Sequence, residues 1–299
     1  MKAPQVFISP LPMIVDCHTH IFPDSVQSHR EAFCEKDKGF SSLYENPKAR
    51  IARVEELISA MDEAEVAWSV ILGFPWDRGD LCRLHNEYLF ESASRYPDRL
   101  VVFVSVPLSD PDTAVMEFEW GLKWGARGVG EAGFYGREMT YTEIERMRPL
   151  LSAMEKEGLP FLLHTNETIG HVYPGKGRTP IDRFYDLIQA FPNLPVILAH
   201  WGGGLPFYEL MPEVKKVMRR VYYDTAASPL LYSDKIYALG KEMVGPEKIL
   251  FGSDFPLLSP KRYLSELQKA NLTEEEREKI LGENARALLR LNGNPLENP

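Results

Sequence analysis

Eight short apolar runs rich in strand-forming residues recur along this chain, and a helix-length amphipathic segment follows most of them. The predicted strands start near Met13, Ala67, Leu100, Ala126, Pro160, Pro195, Val221 and Ile249. Helices are predicted at residues 49–64, 81–95, 112–124, 141–157, 181–191 and 234–244. From the second strand onward the starts are roughly 26 to 35 residues apart, the length of one βα unit. The repeated unit therefore predicts an α/β fold built on a parallel sheet.

Eight βα units in one chain predict a closed (β/α)8 barrel of the TIM type. An open, doubly wound sheet is the alternative, but such a sheet more often carries a glycine-rich phosphate loop after its first strand, and none is present there. The units use almost all of the 299 residues. We therefore expect one domain, residues 1–299, closed by a short amphipathic helix at residues 281–291.

The first interval between strands, from Met13 to Ala67, is longer than the others. Residues 21–48 show little helical pattern and form an insertion directly after the first strand. Barrel enzymes place their active-site loops after the carboxyl ends of the strands. The insertion is therefore expected to form a lid or a pocket wall, and a tolerated insertion without such a role is the alternative.

The chain is acidic, with 34 Lys and Arg residues, 43 Asp and Glu residues and a formal net charge of −9. An acidic surface disfavours proteins whose main task is to bind phosphate backbones, so we expect no nucleic-acid partner. No apolar run is long enough to cross a bilayer, and the first residues lack the pattern of a signal peptide. Three widely spaced cysteines imply no disulfide framework. We therefore expect a cytoplasmic protein without membrane contact.

Residue types that bind metals lie where the predicted strands end. The first strand ends in a His-x-His pair whose side chains share one face, because side chains alternate along a strand. The full set is His18, His20, Glu131, His164, His200 and Asp254. The carboxyl ends of barrel strands meet at one rim, so we expect these groups to converge. Imidazoles with carboxylates suit zinc and neighbouring transition metals, and zinc-bound water becomes a nucleophile near neutral pH.

Each of these residues also has a plain structural interpretation when it is taken alone. Asp254 precedes a predicted helix and is typical of an N-cap, and Glu131 is typical of a partner for an arginine. A single histidine at a strand end is more often hydrogen-bonded or exposed than a metal ligand. His29 and His85, which lie outside the set, are expected at the surface. The hypothesis of a metal site therefore depends on the coincidence of all six residues.

Loops after the strands supply candidate substrate-binding residues. These are Trp76, Phe134, Tyr135, Asn166, Arg178 and Trp201. Aromatic rings and an amide suit the wall of a small-molecule pocket, and a guanidinium binds a carboxylate through two hydrogen bonds. Packing beneath a loop is the alternative for each aromatic residue.

The sequence resembles the amidohydrolase superfamily of metal-dependent barrels. VDCHTHIFP, RYPDRLVVFVSVPLSDPDTAV, FGSDFPL and ILGENARALL are similar to segments of the amidohydrolase-related branch, and the resemblance extends over nearly the whole chain. That branch contains small-molecule hydrolases and non-oxidative decarboxylases of the aminocarboxymuconate-semialdehyde and hydroxybenzoate types. The resemblance implies one or two metals surrounded by His18, His20, His164, His200 and Asp254.

Strand four departs from the pattern of the binuclear members that carry a bridging lysine, since it ends in Glu131. The string GVGEAGFYG resembles a motif of TatD-type DNases, in which glutamate contributes to a two-metal site, and Glu131 would then bridge two metals. In the alternative, Glu131 lies beside a single metal, and His200 is an acid or base. That single metal would lie on His18, His20, His164 and Asp254. We expect one tightly bound zinc ion, with a second ion or another divalent transition metal as the alternatives.

From the resemblance we expect an enzyme that hydrolyses a small amide, cyclic amide, ester or lactone with metal-activated water. Asp254 would accept the proton of the water and pass it to the leaving group, while His200 would stabilise the reaction or bind metal. The alternative is a non-oxidative decarboxylase, in which His200 protonates carbon as carbon dioxide leaves. A TatD-type nuclease is a third candidate, which the acidic net charge disfavours. A homo-oligomer is compatible with each of these functions.

Overall fold

The structure is a computed structural model that describes residues 13–293. Residues 1–12, on which the expectation of no signal peptide mainly rests, lie outside the described residues. Within residues 13–293, none of the helices combines the length and the apolar character needed to cross a membrane.

Eight parallel strands form one sheet in chain order, and each strand pairs with the next. They are β1 (Ile14–His20), β2 (Val66–Leu72), β3 (Leu100–Val104), β4 (Gly128–Ala132), β5 (Phe161–Leu163), β6 (Val196–Leu198), β7 (Val221–Asp224) and β8 (Ile249–Leu250). The segment after β8 returns to β1, because Cys17 N–H donates to Phe251 O (2.8 Å) and Asp254 N–H donates to His18 O (2.9 Å). These bonds join the eighth unit to the first, and the predicted TIM barrel is confirmed.

Helices occupy the segments between the strands and follow the last one. They are α1 (Asp24–Ser28), α2 (Arg30–Lys36), α3 (Lys38–Tyr44), α4 (Val54–Glu63), α5 (Gly79–Arg95), α6 (Pro111–Lys123), α7 (Tyr141–Arg146), α8 (Arg148–Glu157), α9 (Ile181–Ala190), α10 (Pro212–Val217), α11 (Ser228–Leu231), α12 (Lys235–Val244), α13 (Pro260–Lys269), α14 (Glu274–Glu278) and α15 (Asn284–Leu289). The helix predicted at residues 141–157 is divided into α7 and α8, because Pro149 is compatible with the first turn of a helix but not with its interior.

The strands are buried along almost their entire length, as expected for a parallel sheet covered on both faces. Their side chains pack with those of the surrounding helices in one large apolar cluster that includes Ile71, Val104, Leu151 and Phe184. This packing holds the strand ends in fixed positions, so the side chains at those ends are held by a rigid frame.

The insertion at residues 21–48 differs from the prediction, because it contains three short helices, α1, α2 and α3. Helices of five to seven residues are too short to show a clear periodic pattern and depend on tertiary packing. Phe40 supplies that packing, with its ring centroid 4.8 Å from that of Trp76 and 5.3 Å from that of Phe74. The insertion is therefore held against the loop that follows β2.

Candidate active site

The strand ends bring the six predicted metal-binding residues together at one rim of the barrel. Two of them lie in β1 and one in β4, and the others follow β5, β6 and β8. In that order they are His18, His20, Glu131, His164, His200 and Asp254. Their side chains are between 0% and 17% exposed, so the cluster is largely shielded from water.

Two imidazoles and a carboxylate form the first part of the cluster. His18 Nε2 lies 3.1 Å from His20 Nε2. Asp254 Oδ1 lies 3.7 Å from each of these nitrogens. The three donor atoms are close enough together to hold one metal ion. Asp254 is not the N-cap of the following helix, because α13 starts after Ser259.

Glu131 lies between this group and the two remaining histidines. Its Oε1 is 2.9 Å from His164 Nδ1 and 3.6 Å from His200 Nε2, and its Oε2 is 3.7 Å from His20 Nε2. The inner nitrogens of His164 and His200 are 3.3 Å apart. Among the described residues, the ion pairs of Glu131 are with histidines, so an arginine partner does not explain its position.

The outer nitrogens of three histidines are hydrogen-bonded to oxygen atoms. The bonds are His18 Nδ1–H to Asp224 Oδ2 (2.8 Å), His164 Nε2–H to Gly175 O (2.9 Å) and His200 Nδ1–H to Ala226 O (3.1 Å). Because an oxygen acceptor requires the hydrogen on the outer nitrogen, the inner nitrogens of His18 and His200 offer lone pairs to the cluster when these rings are neutral. His164 differs, because its inner nitrogen also faces an oxygen, Glu131 Oε1, at 2.9 Å. The outer contacts of His18 and His200 therefore favour the tautomer that a metal ligand needs.

Asp224 is a site residue that the sequence predictions omit. It ends β7, its carboxylate is fully buried, and it contacts the His18 ring directly. The signal that identifies it is an acidic residue at the carboxyl end of the apolar strand VYYD. This is the same type of signal that identifies Asp254 and Glu131.

Burial and nearby charges shift the protonation of the cluster. Burial lowers the pKa of His18, but the charge of Asp224 and its hydrogen bond outweigh burial and raise that pKa to about 10. Burial and the positive charge of His18 lower the pKa of His20 to about 4. Burial also opposes ionisation of Glu131, yet the charge and hydrogen bond of His164 hold its pKa well below the ordinary value. The carboxylates therefore favour a positive charge within the cluster, either a proton on His18 or a metal ion bound in its place.

The donor set fits a divalent metal ion. Imidazole nitrogens that present lone pairs, together with the carboxylates of Glu131 and Asp254, are ligand types that zinc and neighbouring transition metals bind. The second bonds of His18, His164 and His200 supply the orientation that such ligands usually have.

Two cluster residues have left-handed backbone conformations. His200 has a φ of 55° and Asp254 a φ of 58°. Residues other than glycine seldom adopt this region, and such conformations persist where the surrounding structure holds them and are concentrated at functional sites. The backbone at both positions is therefore consistent with a functional role.

A cavity of about 700 Å³ is lined by five of the cluster residues, a size typical of small-molecule sites. Its remaining wall is largely aromatic and aliphatic and includes Tyr44, Phe74, Tyr135, Tyr173, Leu230 and Leu257. The end of the insertion contributes to this wall through Leu43, Tyr44 and Lys48. The expectation that the insertion forms a pocket wall is therefore confirmed.

Of the six predicted substrate-binding residues, Tyr135 lines the cavity. Its hydroxyl lies 3.3 Å from His164 Nδ1 and 3.4 Å from Glu131 Oε2. The described cavity wall does not include the other five, Trp76, Phe134, Asn166, Arg178 and Trp201.

Packing and local hydrogen bonds hold the two tryptophans away from the cavity. Trp76 Nε1–H donates to His85 Nδ1 (3.0 Å), and Trp201 Nε1–H donates to Ser228 Oγ (2.6 Å). The expectation that His85 lies at the surface is wrong, because its side chain is fully buried. Arg178, by contrast, is exposed to solvent.

Comparison with known proteins gives consistent matches. The amidohydrolase family model matches residues 15–291. A gamma-resorcylate decarboxylase from Rhizobium radiobacter is 26% identical over 261 residues, covering 72% of this chain and 77% of that protein. The solved structure of 5-carboxyvanillate decarboxylase from Sphingomonas paucimobilis has a TM-score of 0.79 at 17% identity, covering 94% of this chain and 100% of that chain. A dihydroxybenzoic acid decarboxylase from Polaromonas sp. JS666, with bound manganese and the inhibitor 2-nitroresorcinol, has a TM-score of 0.75 at 19% identity, covering 95% and 98%.

These matches overturn the expectation of a hydrolase. The similar proteins just described are decarboxylases, so hydrolysis of an amide, ester or lactone is wrong as the main prediction. The motifs alone do not separate the two reactions, because both use a metal and an acid or base at the same strand ends. Since the family model spans both the barrel and the clustered residues at its rim, this chain belongs to the amidohydrolase family.

Proposed function

We propose that this protein is a metal-dependent, non-oxidative decarboxylase of a small aromatic acid. The observation that carries the proposal is the position of His200, which lines the cavity beside the metal-type ligands while its outer nitrogen is anchored to Ala226 O. The similarity to gamma-resorcylate decarboxylase from Rhizobium radiobacter, which covers 72% of this chain, supports the same reaction.

We further propose that His18, His20, His164 and Asp254 hold one divalent metal ion. The separations among His18, His20 and Asp254 support this set. A bound ion would supply a positive charge that orients the substrate and stabilises negative charge as it develops. The manganese in the Polaromonas structure supports a divalent transition metal, and metal analysis of the purified protein distinguishes manganese from zinc.

In the proposed reaction, the bond between the ring carbon and the carboxylate breaks and carbon dioxide leaves. No cofactor is oxidised or reduced in this step. A proton must then be added to the carbon that lost the carboxylate. His200, in its doubly protonated form, donates this proton from Nε2. Glu131 Oε1, 3.6 Å from that nitrogen, stabilises the protonated ring before transfer.

The cavity wall supports an aromatic substrate. The rings of Phe74 and Tyr135 are stacked, with centroids 5.7 Å apart and planes 13° from parallel, and both line the cavity. Flat aromatic walls of this kind favour stacked or edge contacts with another ring. We therefore propose aromatic acids of the size of a hydroxybenzoate as the substrate class.

The test is to incubate the purified protein, supplied with Mn²⁺ or Zn²⁺, with a panel of hydroxybenzoic and related aromatic acids in ¹⁸O-labelled water. We expect one molecule of carbon dioxide for each molecule of decarboxylated product, with no labelled oxygen in that product. Product that carries the label without release of carbon dioxide, or no release from any acid of the panel, would contradict the proposal.

A further inference from the structure

We propose that Asp224 is a positioning residue that sets both the tautomer of His18 and the orientation of His200. Its two carboxylate oxygens divide these tasks. Oδ2 accepts the Nδ1–H of His18 at 2.8 Å, and Oδ1 accepts the backbone N–H groups of His200 at 2.9 Å and Ala226 at 3.0 Å. The part of the inference that concerns catalysis by His200 rests on the proposed decarboxylase function.

The contact with His18 decides which ring nitrogen is free to bind metal. A carboxylate accepts hydrogen bonds and cannot donate them, so Oδ2 keeps the hydrogen on Nδ1 of the neutral ring. Nε2 then presents its lone pair towards His20 Nε2, 3.1 Å away, and towards Asp254 Oδ1, 3.7 Å away. Asp224 therefore makes His18 a ligand through Nε2 without lying in the cluster itself.

The contacts with His200 hold the ring from two directions. Asp224 Oδ1 binds the backbone N–H of His200, whose φ of 55° is unusual for a residue other than glycine. The same oxygen binds the N–H of Ala226, and the carbonyl of Ala226 accepts the Nδ1–H of the His200 ring at 3.1 Å. Backbone and ring of His200 are thus both fixed by contacts that lead to one carboxylate oxygen.

Asp16 provides a matched control within the same region. It is also fully buried, and its Oδ1 accepts the backbone N–H groups of His18 at 3.2 Å and Ser253 at 2.9 Å. Among the described residues, no hydrogen bond joins Asp16 to an imidazole ring. Asp16→Asn therefore changes a buried carboxylate within β1 without changing the contact that the proposal invokes.

Asp224→Asn tests the role in metal binding. The two backbone N–H groups require an oxygen at the Oδ1 position, so the new amide NH₂ must face His18 Nδ1. That nitrogen must then accept, and the hydrogen moves to Nε2. We expect Zn²⁺ affinity, measured by chelator competition, to fall by about 10–100-fold in Asp224→Asn and to stay within about twofold in Asp16→Asn. Nitrogen-15 NMR of the metal-free proteins should show Nδ1 of His18 protonated in the wild type and unprotonated in Asp224→Asn.

Asp224→Ala tests the role in orienting His200. Asparagine keeps the oxygen that binds the two backbone N–H groups, whereas alanine removes it. At saturating metal, kcat should recover in Asp224→Asn to within about threefold of the wild type and should stay at least about tenfold lower in Asp224→Ala. The NMR signals of His200 should show a fixed Nδ1–H in Asp224→Asn and an averaged tautomer in Asp224→Ala.

Two results would overturn the proposal. If Asp224→Asn bound Zn²⁺ as tightly as Asp16→Asn, Asp224 would not set the tautomer of His18. If the His200 tautomer in Asp224→Ala were identical to that of the wild type, Asp224 would not orient His200. Both measurements need no turnover, so failure of the decarboxylase proposal is recognised separately, by the absence of carbon dioxide release from the wild-type protein.

Discussion

His18, His164 and His200 each use one ring nitrogen for a hydrogen bond to an oxygen and leave the other nitrogen facing the cluster. His20 differs, because its Nδ1 is buried and has no hydrogen-bond partner among the described residues. The sequence places all four rings at strand ends but does not show these outer contacts. The contacts come from two separate segments, the loop after β5 with Gly175 and the end of β7 with Asp224 and Ala226, and the barrel brings both segments to the histidines.

His200→Gln tests the proposed proton donor. The substitution removes the acid, so kcat for decarboxylation should fall by roughly 10²–10⁴-fold, the usual range for loss of a general acid. Metal content should be unchanged, because His18, His20 and Asp254 form a potential ligand group without His200. Steady-state kinetics together with metal analysis measure both quantities. His29→Gln, at an exposed histidine, is the control, and a kcat for His200→Gln equal to that of this control would refute the assignment.

His85 makes stability depend on pH. Its Nδ1 accepts from Trp76 Nε1–H and its Nε2–H donates to Ile21 O, so the fold requires the neutral ring. Burial lowers the pKa of His85 to about 4, below the ordinary value of 6.5. The unfolded chain therefore binds a proton that the folded chain excludes, and stability is fully present above pH 6.5 and is lost as pH falls towards 4.

Chemical denaturation at pH 7 and pH 5 checks this prediction. His85→Gln removes the titrating ring, so the difference in the free energy of unfolding between wild type and variant should narrow at pH 5. With pKa values of 6.5 in the unfolded chain and about 4 in the folded chain, this difference should narrow by about 2 kcal/mol between pH 7 and pH 5. An equal difference at both pH values would show that the ring is not held neutral.

The loop after β6 is the element that brings His200 into the site. Trp201, Gly202, Gly203 and Gly204 all have positive φ values, so the chain turns sharply after His200. Gly203 lies against the backbone of Asn166 in the loop after β5, and an added Cβ would lie 2.7 Å from the Asn166 carbonyl carbon. Glycine adopts positive φ values readily, but the contact between the two loops follows only from the three-dimensional structure.

Gly203→Ala and Gly204→Ala form a matched pair that tests this contact. Both positions have positive φ, so alanine should cost roughly 1–2 kcal/mol of backbone strain at each. A Cβ at Gly204 meets nothing within 4 Å, whereas a Cβ at Gly203 displaces the neighbouring loop. The free energy of unfolding of Gly203→Ala should therefore be lower than that of Gly204→Ala by about 2 kcal/mol or more. Equal values from denaturant unfolding would contradict the predicted contact.

The sequence predicted the strands more accurately than the insertion. Each predicted strand start lies within two residues of the observed one, because buried parallel strands give continuous apolar runs. The insertion gave no such signal, since α1, α2 and α3 are short and depend on contacts such as that of Phe40 with Trp76. The burial of His85 is predictable from its spacing, because it shares one face of α5 with Leu81 and Leu89 at intervals of four residues. The polar character of its side chain led instead to the expectation of a surface position.

The length of the chain and the repeated βα unit are sufficient to predict the barrel and the rim at which the six residues meet. All eight strands belong to one sheet, and on that ground we propose a single domain. The reaction was not predictable in the same way. A metal beside an acid or base serves both hydrolysis and decarboxylation, and the choice depends on a cavity built from separate loops, including the insertion.

In the proposed function, decarboxylation depends on a metal held by the clustered histidines and carboxylates. The most direct test measures carbon dioxide release from an active aromatic acid by three samples of one preparation: as purified, after removal of metal with a chelator, and after addition of Mn²⁺ or Zn²⁺. Release should be lost with the metal and return when the metal is added, and Asp254→Asn should not recover. Full carbon dioxide release by the metal-free protein would contradict a role for the metal in decarboxylation.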